Sequence, residues 1–192
     1  MKHVLVFLIA TWAAVAAAQP ATTVSTDNKP VVIAPPKCTI TTTDVEGVAD
    51  NFGGGIDLTS LSPALTAFLN ANPPRSQYDQ PGCDVHFGES FHLCTCETCG
   101  ARLEIIVRKC GTPSTAQNND GFVVGVAPFG AGQRVVDGLV WAPGDPATKT
   151  LIIPLPFAKL NQVLCGNHTD WLDVYFQDDT IVDSMKLIVQ HP

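Results

Sequence analysis

The sequence predicts an all-β protein, a single β-sandwich of jelly-roll or immunoglobulin-like type, with one short helix and disulfide cross-links. Three observations support this prediction. Apolar and polar residues alternate along many short segments, and Gly, Pro, Asn and Asp separate these segments. Seven cysteines also occur in a chain that begins with an export signal, which is typical of a disulfide framework.

The alternation is clearest at residues 101–109, where Leu103, Ile105 and Val107 share one face and charged residues occupy the other. This is the two-residue period of a half-buried strand. Further strands are predicted at 38–45, 85–93, 121–127, 135–141, 148–155, 172–177 and 184–190.

One segment has the features of a short helix, at residues 63–71. Ser62 is a favourable N-cap, Pro63 suits the first helical position, and the sequence Asn-Pro-Pro at 72–74 ends the helix. We expect no other regular helix of any length.

The N-terminus predicts export and a three-part organisation. Residues 1–18 have a positive charge at Lys2, an apolar run too short to span a membrane, and small residues before Gln19, as in a secretory signal peptide. Residues 19–37 are rich in Pro and Thr and predict an arm or linker. The β-sandwich domain should cover 38–192, and the mature protein should be secreted and extracellular.

The charge of the chain restricts its partners. The formal net charge is −7, with only 11 Lys and Arg residues. An acidic surface argues against nucleic acid or anionic membrane as the partner. An extracellular glycan or protein ligand is therefore expected, with no membrane span.

The cysteine spacing predicts particular disulfides. If strands 85–93 and 101–109 form a hairpin, cysteines placed symmetrically about its turn face each other. The predicted pairs are Cys83–Cys110, Cys94–Cys99 and, to close the domain, Cys38–Cys165. Cys96 remains as a free or intermolecular thiol, which allows a disulfide-linked homodimer.

The alternative use of these cysteines is zinc binding. Cys94, Cys96 and Cys99 would need a fourth ligand such as Cys110 or His92, because structural zinc sites are tetrahedral. Zinc is less favoured than structural disulfides, since the export compartment is oxidising.

Acidic residues near the C-terminus predict a calcium site. Asp178, Asp179 and Asp183 join the last two strands, and the turn containing Asn119 and Asp120 offers further oxygen ligands. Calcium takes six to eight oxygens from carboxylates and carbonyls. The alternative is that these residues only form turns, which Asp and Asn commonly do.

Recognition of a glycan is suggested by two features. The segment WLDVYFQDDTIVDSMKLIV resembles the closing strand pair of jelly-roll carbohydrate-binding modules, over about one tenth of the chain. Trp141, Trp171 and Tyr175 are candidate aromatic platforms for sugar rings.

The sequence also contains an N-glycosylation sequon that begins at Asn167, which predicts an exposed position for this residue.

No catalytic motif such as a nucleophile elbow or a HExxH helix occurs in the sequence. We therefore expect a secreted, non-catalytic binding or surface-structural module that recognises a glycan or cell-surface ligand with the help of calcium. One alternative is a secreted glycan hydrolase with paired carboxylates drawn from residues such as Glu89, Glu97 and Glu104. Another is a disulfide-linked extracellular coat or interaction protein.

Overall fold

The described part of the protein is mostly β structure. A computed structural model describes residues 38–93, 97–110, 120–177 and 179–192. Of these residues 45% lie in strands and 14% in helices, which confirms the predicted β character. The predicted signal peptide at 1–18 and the arm at 19–37 lie outside the described residues.

Nine strands and two helices occur in the described residues. The strands are β1 (Ile40–Gly47), β2 (Arg75–Ser76), β3 (His86–His92), β4 (Gly100–Lys109), β5 (Gly121–Gly125), β6 (Arg134–Leu139), β7 (Thr148–Leu155), β8 (Trp171–Phe176) and β9 (Thr180–His191). The helices are α1 (Pro63–Ala71) and α2 (Phe157–Asn167).

The strands form two sheets with nested pairing. One sheet has the order β1-β9-β4-β7 and the other has the order β2-β3-β8-β5-β6. Four antiparallel pairs enclose one another along the chain: β5 with β6, β4 with β7, β3 with β8, and β1 with β9. The two-residue strand β2 is added in parallel to β3. The chain therefore follows a long folded hairpin.

One hydrophobic cluster contains residues of both sheets. Leu103 and Ile105 of β4 and Leu187 of β9 belong to the first sheet, whereas Leu172 and Val174 of β8 belong to the second. All five side chains are fully buried. Leu103 and Ile105 alternate with less buried neighbours along β4, and this alternation is the pattern that predicted the strand, because one face of β4 meets the core.

Helix α1 confirms the helix predicted at 63–71. The Ser62 hydroxyl accepts a hydrogen bond from the Leu65 amide, and Pro63 occupies the first turn. Leu65 and Leu69 are buried on its inner face. The helix packs on Gly88 of β3, where an added Cβ would lie 2.7 Å from the Leu69 side chain.

A second helix, α2, corrects the expectation of one helix only. Leu160, Val163 and Leu164 are its buried residues, and they have helical rather than strand spacing. Pro156 at its N-cap makes no side-chain capping bond, so the usual polar start signal is missing. His168 ends the helix in the left-handed conformation.

The predicted hairpin of 85–93 and 101–109 is wrong. β3 pairs with β8 and β2, whereas β4 pairs with β9 and β7 in the other sheet. The residues just before β3 and just after β4 nevertheless lie close together. The predicted Cys83–Cys110 disulfide is confirmed there, with a Cα–Cα distance of 5.5 Å.

The other predicted disulfides do not form. Cys38, which was predicted to pair with Cys165, is bonded to Cys99, with a Cα–Cα distance of 6.1 Å. Cys99 is therefore not available to Cys94, its predicted partner. The reason is that β1 and β4 both pair with β9, which brings the residues just before each strand to the same end of that sheet. Cys165 is also disulfide-bonded. Cys94 and Cys96 lie outside the described residues.

Candidate metal centre

Three aspartates from separate parts of the chain meet beside the end of β1. Asp50 lies in the loop that follows β1, Asp79 follows β2, and Asp183 lies within β9. One carboxylate oxygen from each can be chosen such that all three oxygens lie within 4.8 Å of one another. Such a separation is compatible with oxygen ligands of a single cation.

Backbone contacts fix the position of each aspartate. The Asp79 amide donates to the carbonyl of Val182, 2.8 Å away, and so places Asp79 next to Asp183. The Phe52 amide donates to Asp183 Oδ1 at 2.6 Å. The Gly53 amide donates to Asp50 Oδ1 at 2.8 Å. The loop after β1 is therefore held against β9 at the site itself.

Gly47 permits this close approach. Its φ is +74°, and a Cβ at this position would lie 2.8 Å from the Asp183 carbonyl oxygen and 2.9 Å from the Tyr78 ring. A side chain here would separate β1 from the segment that carries Asp79. The site therefore depends on the absence of a side chain at the last residue of β1.

Two of the carboxylates are buried and form no ion pair within the described part of the chain. Asp183 is fully buried and Asp79 is 7% exposed, whereas Asp50 is exposed. Both oxygens of Asp79 and Oδ2 of Asp183 have no hydrogen-bond donor among the described residues. None of the ion pairs among these residues includes Asp50, Asp79 or Asp183.

This environment strongly disfavours the charged form of Asp79. Burial, followed by the negative charges of Asp183 and Asp50, raises the pKa of Asp79 to about 7. A buried carboxylate that accepts no hydrogen bond costs several kcal/mol, on the order of 3 or more, unless a proton or a cation compensates it. The arrangement can therefore hold either a shared proton or a metal ion.

The predicted calcium ligands do not form one site. Asp183 belongs to the carboxylate cluster, but Asp179 lies beside the Cys83–Cys110 disulfide and accepts a hydrogen bond from the Asp84 amide at 3.0 Å. Asp120 is buried, and its Oδ2 accepts from the Thr180 hydroxyl at 3.0 Å. Asn119 and Asp178 lie outside the described residues.

Sequence reasoning missed Asp50 and Asp79. Both lie in turn-rich segments, where Asp is ordinary, and both are far from Asp183 along the chain. The one local signal was the run Asn51-Phe52-Gly53-Gly54-Gly55, whose glycines predict a flexible loop. The residues at 51 and 52 do adopt positive φ values, of 65° and 60°.

Two of the three predicted aromatic platforms, Trp141 and Tyr175, are buried against other side chains. Trp141 is 3% exposed and donates a hydrogen bond from Nε1 to the Thr180 hydroxyl. Tyr175 is 8% exposed, and its hydroxyl is 2.7 Å from His86 Nδ1. Neither ring is open to a sugar. Trp171 is half-buried and contacts the His92 ring edge to face, with centroids 4.9 Å apart.

The acidic residues suggested for hydrolysis do not converge. Glu89 is fully buried and accepts from the amides of Ser60 and Ser90 at 2.9 and 2.7 Å. Burial raises the pKa of Glu89 to about 8 despite these bonds. Glu104 instead forms ion pairs with Arg102 and Lys186, at 2.9 and 3.5 Å. Glu97 precedes β4, at the opposite end of that strand from Lys109.

The zinc alternative loses two of its ligands. Cys99 and Cys110 are both in disulfides, so neither supplies a thiolate.

Asn167, the first residue of the predicted glycosylation sequon, is the last residue of α2 and is exposed. Its Nδ2 donates to the Val163 carbonyl at 2.7 Å. Use of the sequon stays a prediction.

Comparison with known proteins gives no assignment of family or function. No protein-family model, curated protein or solved structure matches this chain. Within the described residues, neither helix is long and apolar enough to cross a membrane. The disulfides are compatible with an extracellular protein. What the fold and the site define is a disulfide-linked, mostly β protein with a cluster of three carboxylates, two of them buried.

Proposed function

We propose that the protein is a secreted, non-catalytic binding module that holds one calcium ion with Asp50, Asp79 and Asp183. The observation that carries this proposal is the pair of buried aspartates, Asp79 and Asp183. Among the described residues, three of their four carboxylate oxygens have no hydrogen-bond donor, and neither carboxylate forms an ion pair. A bound divalent cation supplies the missing compensation at both residues.

The proposed fold is a jelly-roll β-sandwich. The support is the nested pairing of four antiparallel strand pairs together with a hydrophobic cluster to which both sheets contribute. A jelly roll consists of eight such strands in two sheets. Secretion is supported by the predicted signal peptide and the disulfides.

The donor set favours calcium over other metals. Three carboxylates provide up to six oxygens, and the cluster contains no imidazole or thiolate, which softer metals prefer. The exposed position of Asp50 leaves one side accessible to water or to a ligand oxygen. Magnesium, which needs a more rigid octahedron of ligands, fits less well.

A binding role follows from the loop that the site holds. Residues 48–57 form a closed loop, because the Val48 amide donates to Asp57 Oδ2 at 2.8 Å. Val48, Ile56 and Leu58 are 56%, 56% and 80% exposed beside it. A cation at Asp50 would fix this loop and its apolar residues in one conformation, for contact with an extracellular glycan or protein.

The proposal is tested by thermal melting of the disulfide-intact protein in EGTA and in millimolar calcium. A cation that binds only the folded state must raise the midpoint. We expect a rise in the wild type and none in Asp79→Asn or Asp183→Asn. Magnesium at the same concentration should give a smaller shift.

Two matched variants serve as controls. Asp137→Asn changes an exposed aspartate on β6, and Asp179→Asn changes one of the ligands predicted from sequence. Both should retain the calcium shift. A wild type whose midpoint ignores calcium, or a shift lost only in Asp179→Asn, would contradict the proposed site.

A glycan hydrolase is a second candidate because of one pair on β1. Asp44 and Glu46 lie opposite Leu187 and Met185, so both occupy the same face of the strand. Residues two apart along a strand have Cα atoms about 6.7 Å apart. This spacing allows the two carboxyl groups to lie within the roughly 5 to 10 Å that separates carboxylate pairs in glycosidases. Burial and the charge of Asp44 also raise the pKa of Glu46, as a general acid requires.

The hydrolase candidate is tested by the release of reducing ends from a panel of polysaccharides. Hydrolysis by the wild type that disappears in both Asp44→Asn and Glu46→Gln would support it. Turnover that survives both substitutions, or no release by the wild type, would exclude this pair and favour the binding module.

A further inference from the structure

A pocket opens along the inner face of β1, at the opposite end of the strand from the metal centre. β1 is an edge strand, and Thr42 and Asp44 lie opposite Val189 and Leu187 of β9. Facing residues of an antiparallel pair point to the same side of the sheet. Thr42 and Asp44 are exposed, whereas Val189 and Leu187 are buried. The inner face is therefore left open at this end.

The pocket has an apolar floor and a polar rim. Its volume is about 240 Å³. The floor consists of Leu93, Leu187 and Val189, and the rim consists of Thr42, Asp44, His92 and His191.

The rim is held in place before any ligand binds. His191 Nε2 lies 3.0 Å from the Thr42 hydroxyl oxygen, and His191 Nδ1 lies 3.3 Å from the carbonyl oxygen of Glu97. A carbonyl only accepts, so in the neutral ring Nδ1 carries the proton and Nε2 accepts from Thr42. The lone pairs of the Thr42 oxygen are then available to a donor in the pocket.

The Cys38–Cys99 disulfide stabilises the same wall. Cys38 lies two residues before β1, the strand that carries Thr42, and Cys99 lies two residues after Glu97, whose carbonyl orients His191. The Thr39 amide also donates to the His191 carbonyl at 2.9 Å. A preformed site of this kind loses less conformational entropy when it binds a ligand.

We propose that this pocket binds a single sugar ring. This proposal rests on the proposed binding function and specifies the chemical class of the ligand. Pockets for drug-sized ligands measure roughly 300 to 1,000 Å³, so a volume of about 240 Å³ fits one ring. Hydroxyl groups match the carboxylate, hydroxyl and imidazole groups of the rim, and the C–H face of a ring matches the apolar floor.

The charge and the polarity of the rim argue against two other classes of small ligand, anions and apolar molecules. Asp44 is an exposed carboxylate in a chain of net charge −7, so a phosphate or carboxylate ligand would be repelled. A purely apolar ligand would displace water from the Asp44 carboxylate and from the lone pairs of the Thr42 hydroxyl without replacing those hydrogen bonds. A neutral polyhydroxylated ring satisfies both parts of the pocket.

The experiment is a titration of isotope-labelled protein with a panel of neutral monosaccharides, followed by NMR. We expect the His92 and His191 signals to shift at millimolar sugar for at least one member. Thr42→Val and Asp44→Asn should weaken that binding by about fivefold to tenfold, as expected for one lost hydrogen bond. Thr150→Val on β7 and Asp137→Asn are the matched controls, and they should bind as the wild type does.

Calcium separates this proposal from the proposed metal site. The two sites share no residue, so sugar binding should persist in EGTA and in Asp79→Asn. Sugar binding that requires calcium, no shift with any sugar of the panel, or wild-type affinity in Thr42→Val would overturn the pocket assignment. A calcium-insensitive midpoint with intact sugar binding would instead reject only the metal centre.

Discussion

Asp79 combines a left-handed backbone with a buried acidic side chain. Its φ is +58°, a conformation that costs energy in residues other than glycine, although Asp and Asn tolerate it better than most. The hydrogen bond from the Asp79 amide to the Val182 carbonyl fixes that conformation and directs the side chain towards Asp183. Strain and burial at one residue favour a functional role over simple turn formation.

The titration of Asp79 predicts how stability depends on pH without metal. Its pKa rises from 3.8 to about 7 on folding, and that of Glu89 rises from 4.5 to about 8. A raised pKa stabilises the fold at low pH, and this contribution is lost as pH rises through the folded value. The free energy of unfolding in EGTA should fall between pH 5 and pH 8, by up to about 1.4 kcal/mol per pH unit for each group.

Urea unfolding at several pH values measures this dependence. Asp79→Asn should show a shallower decline than the wild type, because the variant lacks one of the two carboxyl groups whose pKa rises on folding. Calcium should stabilise the wild type more at pH 8 than at pH 5, since protons compete for the same oxygens. A free energy of unfolding that rises between pH 5 and pH 8 in EGTA would contradict the burial of these two groups.

Gly47 provides a second prediction for a single residue. Gly47→Ala should lower the free energy of unfolding by more than the roughly 1 to 2 kcal/mol that positive φ alone costs, because the new Cβ meets the Asp183 carbonyl and Tyr78. Gly132 has a similar φ of +84° and no atom within 4 Å of an added Cβ. Gly132→Ala therefore measures the backbone cost by itself, and equal losses in the two variants would argue against close packing at Gly47.

The strands and disulfides illustrate which local features the sequence predicts. Alternation gave the positions of β4 and β7 closely, since a half-buried strand leaves a two-residue period in its own residues. It did not show that β3 and β4 belong to different sheets, because partner choice leaves no local trace. Helix α2 was missed although its buried residues have helical spacing, because it lacks a polar N-cap.

The Cys83–Cys110 bridge should contribute substantially to stability. It closes a loop with a sequence separation of 27, for which chain entropy predicts about 3 to 4 kcal/mol. The Cys83→Ala/Cys110→Ala double variant should lose this amount in urea unfolding. Cys38→Ala/Cys99→Ala, with a separation of 61, should lose slightly more. No loss in either double variant would indicate that the bridges are strained or absent.

Peptide mapping without reduction tests the corrected pairing directly. We expect mass spectrometry to find the peptide of Cys38 linked to that of Cys99. A Cys38–Cys165 peptide would instead support the pairing expected from the sequence. The sugar pocket would then lack the Cys38–Cys99 disulfide that stabilises its wall.

At the scale of the whole molecule, the shared hydrophobic cluster predicts that both sheets unfold together. Leu103→Ala in the first sheet and Leu172→Ala in the second should each cost about 2 to 5 kcal/mol, because both side chains are fully buried. Circular dichroism and tryptophan fluorescence should give coincident transitions in both variants. Ile152→Ala, at a site that is 61% exposed, should cost much less. Two separate transitions would mean that the sheets are independent units.

The sequence by itself determined the β character, most strand positions and the helix α1. Its cysteine spacing also predicted the Cys83–Cys110 pair, although the hairpin assumed for that prediction does not form. These depend on periodicity, capping and spacing, which are local properties of the chain. Only the tertiary structure decided the nested pairing, the Cys38–Cys99 bridge, the meeting of Asp50, Asp79 and Asp183, and the pocket beside β1. Each of these requires residues distant along the chain to come together, and such contacts are fixed by the register and packing of whole strands, which no short segment encodes alone.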